Sequence, residues 1–326
     1  MFAVFAHAID AADPLSALTV GDIDQPETPQ DWVTVHVKAA SLNHHDLWSL
    51  KGQALQADRI PMILGSDASG VTEDGREVVV HAVIGSTQTV GDRVLDETLD
   101  MRRTLLSELY PGTLAETVRV PARNLLDKPA GVTFEQAACL PTAYLTAYRM
   151  LAHRSQTQPG DTVLIQGAGG GVATAAILLG KALGLIVWVT SRDQAKADAA
   201  LALGADQAFE SNTKLPAKVD AVIETVGEAT WAHSLRSLRP GGTIVVSGAT
   251  SGAMPPADLN RVFFLQLSIN GSTMGSITDF AEMLELIDRT GVRPVIDSVR
   301  PLREARSAFA DMLHGNVNGK LVLVND

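Results

Sequence analysis

The run from Asp161 to Arg192 holds the residues whose spacing most plainly suggests chemistry. A short apolar stretch, Thr162 to Gln166, reads as a buried parallel strand. Gly167, Ala168, Gly169, Gly170 and Gly171 turn the chain, and Val172, Ala176, Ile177 and Leu179 follow at helical spacing. Leu185 to Thr190 reads as a second strand, so the whole is one βαβ unit with a glycine-rich turn after its first strand. Such a turn suits a diphosphate. Missing side chains let phosphate approach the backbone, and the free N–H groups at the helix start face the anion. The register Ala168, Gly170, Ala173 meets the dinucleotide fingerprint imperfectly, with Ala at its first and last glycine positions. The alternative is a tight turn with no ligand. The strand before the turn, and the helix and second strand after it, favour the ligand.

The elements that must position this turn fall into two patterns. Residues 1–80 have β character. Trp32 to Lys38 alternates apolar and polar residues, and Ser69 to Val80 reads as a hairpin with an Asp74-Gly75 turn. Residues 82–112 have no sustained period and form a long excursion of the kind that borders a site. Glu135 to Ala152 is helical, with an interruption near Pro141. From Asp161 strands and helices alternate: a helix over Asp193 to Leu203, a strand over Val219 to Val226 and a helix over Glu228 to Leu238. A Pro240-Gly241-Gly242 turn, a strand to Ser247 and another over Leu267 to Gly271 follow. Such alternation predicts a doubly wound parallel sheet.

The 326 residues allow two domains of ordinary size, and 46% apolar with 19% charged residues predicts a packed protein. A net charge of −11 argues against nucleic acid or an anionic membrane as a partner, yet leaves room for a local anion site. Cys139 is the single cysteine, so neither a disulfide framework nor a cysteine zinc cluster can form within the chain. No signal-peptide pattern or membrane-length apolar run is visible, and a soluble cytoplasmic protein is expected.

Several motifs in order resemble the medium-chain dehydrogenase/reductase family, and within it the zinc-less quinone-oxidoreductase-like branch. They are V-K-A-A-S-L-N-H-H-D-L-W (Val37 to Trp48), P-M-I-L-G-S-D-A-S-G-V (Pro61 to Val71), L-P-T-A-Y-L-T-A-Y (Leu140 to Tyr148), the glycine turn, L-G-A-D, P-G-G and G-K-L-V-L. The resemblance implies an α/β protein with a GroES-like β catalytic domain over 1–123 and 293–326. A Rossmann domain over 124–292 is inserted between, and the active site lies in the cleft. Zinc-bearing relatives place a cysteine in the first signature, a histidine in a G-H-E triplet and a cysteine before the T-A segment. Here Asn43 to Asp46 holds no cysteine, the triplet is Gly65-Ser66-Asp67, and Thr142 takes the third place. His44 and His45, if on a strand, would point to opposite faces. A site from His44 or His45 with Asp46 and Asp67 is the alternative, but it departs from the N/S donors and open position of catalytic zinc, and no metal is expected.

The cofactor implied is a nicotinamide dinucleotide. Ser191, Arg192 and Lys196 at the end of the second strand favour NADPH over NADH, because they can bind a 2′-phosphate. Ser191 could instead cap the next helix with Gln194, and Asp193 is placed in that helix's first turn. Thr225, Val226, Gly248, Ala249 and Thr250 end strands and so border the crevice. By the resemblance Met274 flanks the nicotinamide, and Asn318 and Lys320 belong to a tail motif that reaches back to the cofactor. An ordinary surface lysine is the alternative for Lys320.

Without a metal, hydride transfer is easiest to quinones and α,β-unsaturated carbonyls, whose developing charge is delocalised and can be met by hydrogen-bond donors. Asn43, Asp46, Trp48, Ser66, Thr142 and Tyr144 are the candidates to line that pocket. For Asp46 a structural hydrogen bond is preferred over general-base work, for Trp48 a half-buried core position is equally open, and Tyr144 could supply the final proton. The runner-up is an alcohol or aldehyde dehydrogenase of the same fold, and a catalytically silent nucleotide-binding protein is also open. A small carbonyl or quinone substrate is expected, and a homodimer paired through Leu265 to Asn270.

Overall fold

The computed structural model describes residues 1–85 and 96–325, and the backbone of 89, 90, 93 and 94 between them. Part of the 82–112 excursion therefore lies outside the described residues. The chain divides into two compact units. One comprises Met1–Ala143, Ser276–Asp288 and Arg293–Asp326; the other comprises Tyr144–Gly275 and Arg289–Val292.

The first unit is built on a seven-stranded sheet. Val33–Ser41 lies at its centre, antiparallel to Asp67–Thr72 on one side and to Lys320–Val324 on the other. Glu77–Val80 and Leu125–Asp127 extend one edge, and Ile296–Pro301 runs parallel to Lys320–Val324 at the other. Alternation along Val33–Lys38 produces alternate burial from Val35 to Lys38, after which Ala39 to Ser41 are all buried. Val35, Val37, Ala68, Val78, Val80, Leu321 and Leu323 build the core with Leu47, Leu50 and Phe309 from helices. The register sets Ser41 opposite Asp67 on one neighbour and opposite Val322 on the other. Three segments distant in sequence thus meet at one end of the central strand.

This unit takes in residues 124–143 and 276–288, which the expected division assigned to the nucleotide domain. Leu125–Asp127 pairs with Glu77–Val80. The helix Ile277–Thr290 is tied by its first N–H, which donates to Glu97 Oε1 at 2.5 Å, while His81 Nε2 lies 2.8 Å from the same oxygen.

The second unit is a six-stranded parallel sheet. Its order is Gln207–Glu210, Ile186–Ser191, Thr162–Gln166, Val219–Glu224, Leu238–Val246, Ser268–Gly271. In chain order this is 3-2-1-4-5-6, so the strand order reverses between Thr162–Gln166 and Val219–Glu224. Ligands of open parallel sheets sit beyond the carboxyl ends of the strands at that reversal. The Pro240-Gly242 segment is not a separate turn. It lies within Leu238–Val246, and the pairing with Val219–Glu224 shifts register across it. Among the described residues no helix is long and apolar enough to cross a membrane.

Candidate active site

Asn43 ends the central strand's extension and precedes the helix His44–Leu50. Its extended backbone (φ −130°, ψ 157°) suits a helix N-cap, and its N–H donates to Asp46 Oδ2 at 2.8 Å. This cap corrects the strand expectation for His44 and His45. They open a helix, because Asp46 satisfies the N-cap N–H and lets the helix start there. The other oxygen of Asp46 accepts the Gly65 N–H at 3.0 Å. Asp46 thus makes the structural hydrogen bonds expected of it, and joins the helix to the Gly65-Ser66-Asp67 triplet. Burial pushes its carboxyl up to about 6, against the pull of His45 and of the Asn43 N–H.

One residue from each of the three segments that carry zinc ligands in the resemblance meets the others. Asn43 Nδ2 lies 3.2 Å from Ser66 Oγ, which lies 3.1 Å from Thr142 Oγ1. Lys320 is only 3% exposed and is no surface lysine. Its Nζ donates to Leu42 O at 2.7 Å, to Asn43 Oδ1 at 2.6 Å and to Asp67 Oδ2 at 3.3 Å. These three acceptors match the three protons of the ammonium. Ser41 Oγ adds a bond to Asp67 Oδ2 at 2.9 Å.

His45 Nε2 lies 3.0 Å from Glu108 Oε1, so the described end of the 82–112 excursion does reach the cluster's helix. Burial draws His45 down, but Glu108, Asp46 and Asp67 outweigh it and leave the imidazole above its ordinary value. Trp48 is half-buried, its ring 6.4 Å from that of His44. Tyr144 belongs to the second unit, where it is among the largest fully buried side chains. Cys139 is buried, and burial raises its thiol to about 12.

In the second unit the glycine turn sits where the sheet order reverses. Gly167 has φ +91°, a conformation that favours glycine. The helix Gly171–Ala182 starts from Gly170 with no side chain capping it, so the first backbone N–H groups are open to an anion. A Cβ on Gly170 would meet nothing within 4 Å, which is the open space a diphosphate needs. Lys196 runs its aliphatic chain across Gly169, whose Cβ would come within 2.7 Å of Lys196 Cδ.

The second strand ends at Ser191, whose hydroxyl accepts the Asp193 N–H at 3.1 Å and donates to the Asp193 carbonyl at 2.8 Å. Asp193, not Ser191, caps the next helix, accepting the Lys196 N–H at 3.3 Å. Its backbone is extended, which corrects its placement in the first helical turn. Arg192 is exposed and has no hydrogen bond or ion pair among the described residues. Thr225 and Val226 follow Val219–Glu224 directly, and the Ser251 N–H donates to Val226 O at 2.7 Å, which joins Gly248-Ala249-Thr250 to that turn. Met274 is buried with φ +49°. Asn318 N–H donates to Asp297 in the first unit.

Glu224 and Gln166 are buried positions that the sequence pattern did not single out and that fasten the turns at the strand ends. Buried Glu224 Oε1 accepts the N–H groups of Val226 and Gly227 at 2.8 and 3.0 Å and shapes the turn beside the crevice. Gln166 Oε1 accepts from Thr190 Oγ1 at 2.7 Å, and that hydroxyl accepts the Gly167 N–H at 3.3 Å. A polar residue closing a run of buried apolar ones, Val163 to Ile165 and Ala221 to Ile223, was the available signal for both.

These two sites carry the signature of one protein class, and comparison places the chain within it. The description "Alcohol dehydrogenase GroES-like domain" matches residues 29–130, and "Zinc-binding dehydrogenase" matches residues 171–289. A zinc-type alcohol dehydrogenase-like protein of Schizosaccharomyces pombe is 30% identical over 316 residues, covering 90% of this chain and 91% of that one. The quinone oxidoreductase of Mus musculus is 28% identical, covering 93% and 92%. A solved NAD-dependent alcohol dehydrogenase superposes with a TM-score of 0.90 at 32% identity, over 100% of both chains. The chain belongs to the medium-chain dehydrogenase/reductase family, a family of nicotinamide-dependent oxidoreductases.

Two outcomes follow from this geometry. Asp46 titrates near 6 in the folded protein, above the 3.8 of an ordinary aspartate in an unfolded chain, so the fold favours its neutral form. Its contribution to stability is fullest below pH ~4, falls as pH rises towards 6 and is flat above. The fall is about 3 kcal/mol at 1.36 kcal/mol per unit. Asp46→Asn will flatten that part of the slope when urea unfolding is compared at the two ends of the window. Gly170→Ala will unfold like the wild type, since its methyl meets no atom within 4 Å, yet bind a nicotinamide dinucleotide about tenfold more weakly in a fluorescence titration, the outcome expected of a methyl set where a diphosphate would lie.

Proposed function

We propose that the protein is a zinc-independent, NADPH-dependent reductase of quinones or α,β-unsaturated carbonyls. One observation carries this: Asn43, Ser66 and Thr142 are bonded into a chain that an ammonium, Lys320, completes. An amide and two hydroxyls lack the thiolate and imidazole donors that catalytic zinc prefers, and an adjacent ammonium repels a dication. The residues do not fit zinc. They do suit an acceptor whose charge spreads into an enolate or hydroquinone anion and needs only hydrogen-bond donation. NADPH, when bound, supplies the hydride from C4 of its nicotinamide. The open helix start at Gly171 and the neighbouring Lys196 side chain receive the diphosphate. Arg192, exposed and unpaired among the described residues, receives the 2′-phosphate.

Several similar proteins bear alcohol dehydrogenase names, and this is the competing activity. It predicts alcohol oxidation that chelation abolishes. A homodimer belongs to the same proposal. Ser268–Gly271 is the edge strand of the parallel sheet, with Ile269, Phe263 and Phe264 exposed on or near it.

NADPH oxidation against a panel of benzoquinones and enones, with metal analysis of the same sample, tests the assignment. Turnover is expected with substoichiometric zinc; stoichiometric zinc, or activity lost to a chelator, would sink it. Arg192→Ala should lower kcat/KM for NADPH about 30-fold while leaving NADH turnover unchanged. An NADH preference in the wild type that survives this substitution overturns the cofactor choice.

A further inference from the structure

An ammonium has donors and no acceptor. The Asn43 amide atom 2.6 Å from Lys320 Nζ must therefore be its oxygen, and the amide nitrogen must face Ser66. Ser66 Oγ accepts from that nitrogen and keeps its own proton. Ser66 is buried, and a buried hydroxyl proton needs an acceptor. Among the described residues, Thr142 Oγ1 at 3.1 Å is the acceptor it reaches. Thr142 in turn keeps its proton. Its hydroxyl has no other hydrogen bond among the described residues, and the residue is partly exposed.

We propose that Lys320 is a positioning residue that sets the direction of a hydrogen-bond chain running through Asn43 and Ser66, so that Thr142 presents its hydroxyl proton to the substrate's carbonyl or quinone oxygen. This rests on the reductase function proposed above. In the step served, hydride adds to the conjugated carbon, the displaced π pair moves to the oxygen, and the Thr142 O–H bonds the oxygen as it becomes negative. A proton from solvent then completes the reduction. The chain transfers no proton itself. Each member polarises the next in a low-dielectric setting, so the ammonium's charge is felt at a hydroxyl it does not touch. Asp67, whose Oδ2 takes the third Lys320 proton and the Ser41 hydroxyl, keeps the buried charge compensated.

Asn43→Asp is the decisive variant. It keeps an oxygen towards Lys320 but offers a second oxygen to Ser66, where the amide offered N–H. Ser66 then donates backwards, Thr142 donates to Ser66, and no proton is left for substrate. With cyclohexenone and NADPH, kcat should fall on the order of 100-fold, the cost of one oxyanion donor, with KM changed only a few-fold. NADPH affinity and the urea midpoint should stay near wild type. Thr142→Val should match it, the double variant should fall no further, and Thr142→Ser should restore activity to within a few-fold. Binding of para-nitrophenolate, read by its absorbance, should weaken about tenfold in Asn43→Asp and in Thr142→Val.

If Asn43→Asp turns over within a few-fold of an active wild type, or if the two losses multiply, the chain does not run this way. If the wild type reduces no quinone or enone, the reductase function fails instead, and phenolate binding decides the direction on its own. Should Asn43→Asp unfold, the contrast of Thr142→Val with Thr142→Ser carries the decision by the same readings.

Discussion

A lysine ammonium shut inside a β sheet is the constraint on which the first unit's site depends. A buried charge needs hydrogen-bond partners to offset the cost of leaving water. Three oxygens of different kinds converge on this one: the Leu42 carbonyl, the Asn43 amide and the Asp67 carboxylate. Removing one partner of such a buried pair leaves the other uncompensated, at a cost of about 3–5 kcal/mol. Lys320 and Asp67 are 253 residues apart in sequence, and only sheet register brings them together. Ser41 faces Asp67 across one ladder and Val322 across the other, and the Leu42 N–H donates to Leu321 O at 3.0 Å. The strand Lys320–Val324 is therefore the one that completes the site.

The second unit solves a related problem with the backbone. Under the proposed function an anion there would be met by helix N–H groups that carry only partial charge, and the missing side chains leave its path clear. Polar side chains at the strand ends fasten the neighbouring turns. Glu224 is the clearest case: both oxygens are spent on N–H and O–H donors of its own turn and helix, among them Thr230 and Ser234. A buried carboxylate so engaged is a bracket for the loop rather than a reagent. Under the proposed function the local cations Lys196 and Arg192 suffice, so a net charge of −11 does not bar a dinucleotide.

Features governed by local pattern were legible in the sequence. The glycine turn, the alternating strand Val33–Ser41, the hairpin around Asp74-Gly75 and the succession of strands and helices all follow from periodicity and turn chemistry. Features decided by partners distant in sequence were not. Lys320 looks like a tail lysine until the sheet register buries it against Asp67. His44 and His45 look strand-like until Asp46 turns back to cap the helix before them. Asp193 takes the cap that Ser191 could have made, because the Ser191 hydroxyl is engaged two residues on. The helix that begins at Ile277 is tied within the first unit to Glu97, 180 residues away, a pairing no local pattern announces.

The proposed choice of acceptor follows from what the buried charge can do. An ammonium with three acceptors cannot also act as an electrophile, since it has no donor left to move to a substrate. It can only orient its neighbours, and what reaches the substrate is a neutral hydroxyl. A neutral donor stabilises a developing anion less than a metal ion coordinated to the same oxygen. A localised alkoxide would leave most of its charge unmet in such a site, whereas an enolate or hydroquinone anion spreads its charge before any donor is counted. The weaker the donor a protein presents, the more of the stabilisation the substrate's own conjugation must provide. A chain ending in Thr142 therefore selects for conjugated acceptors by leaving the others unassisted.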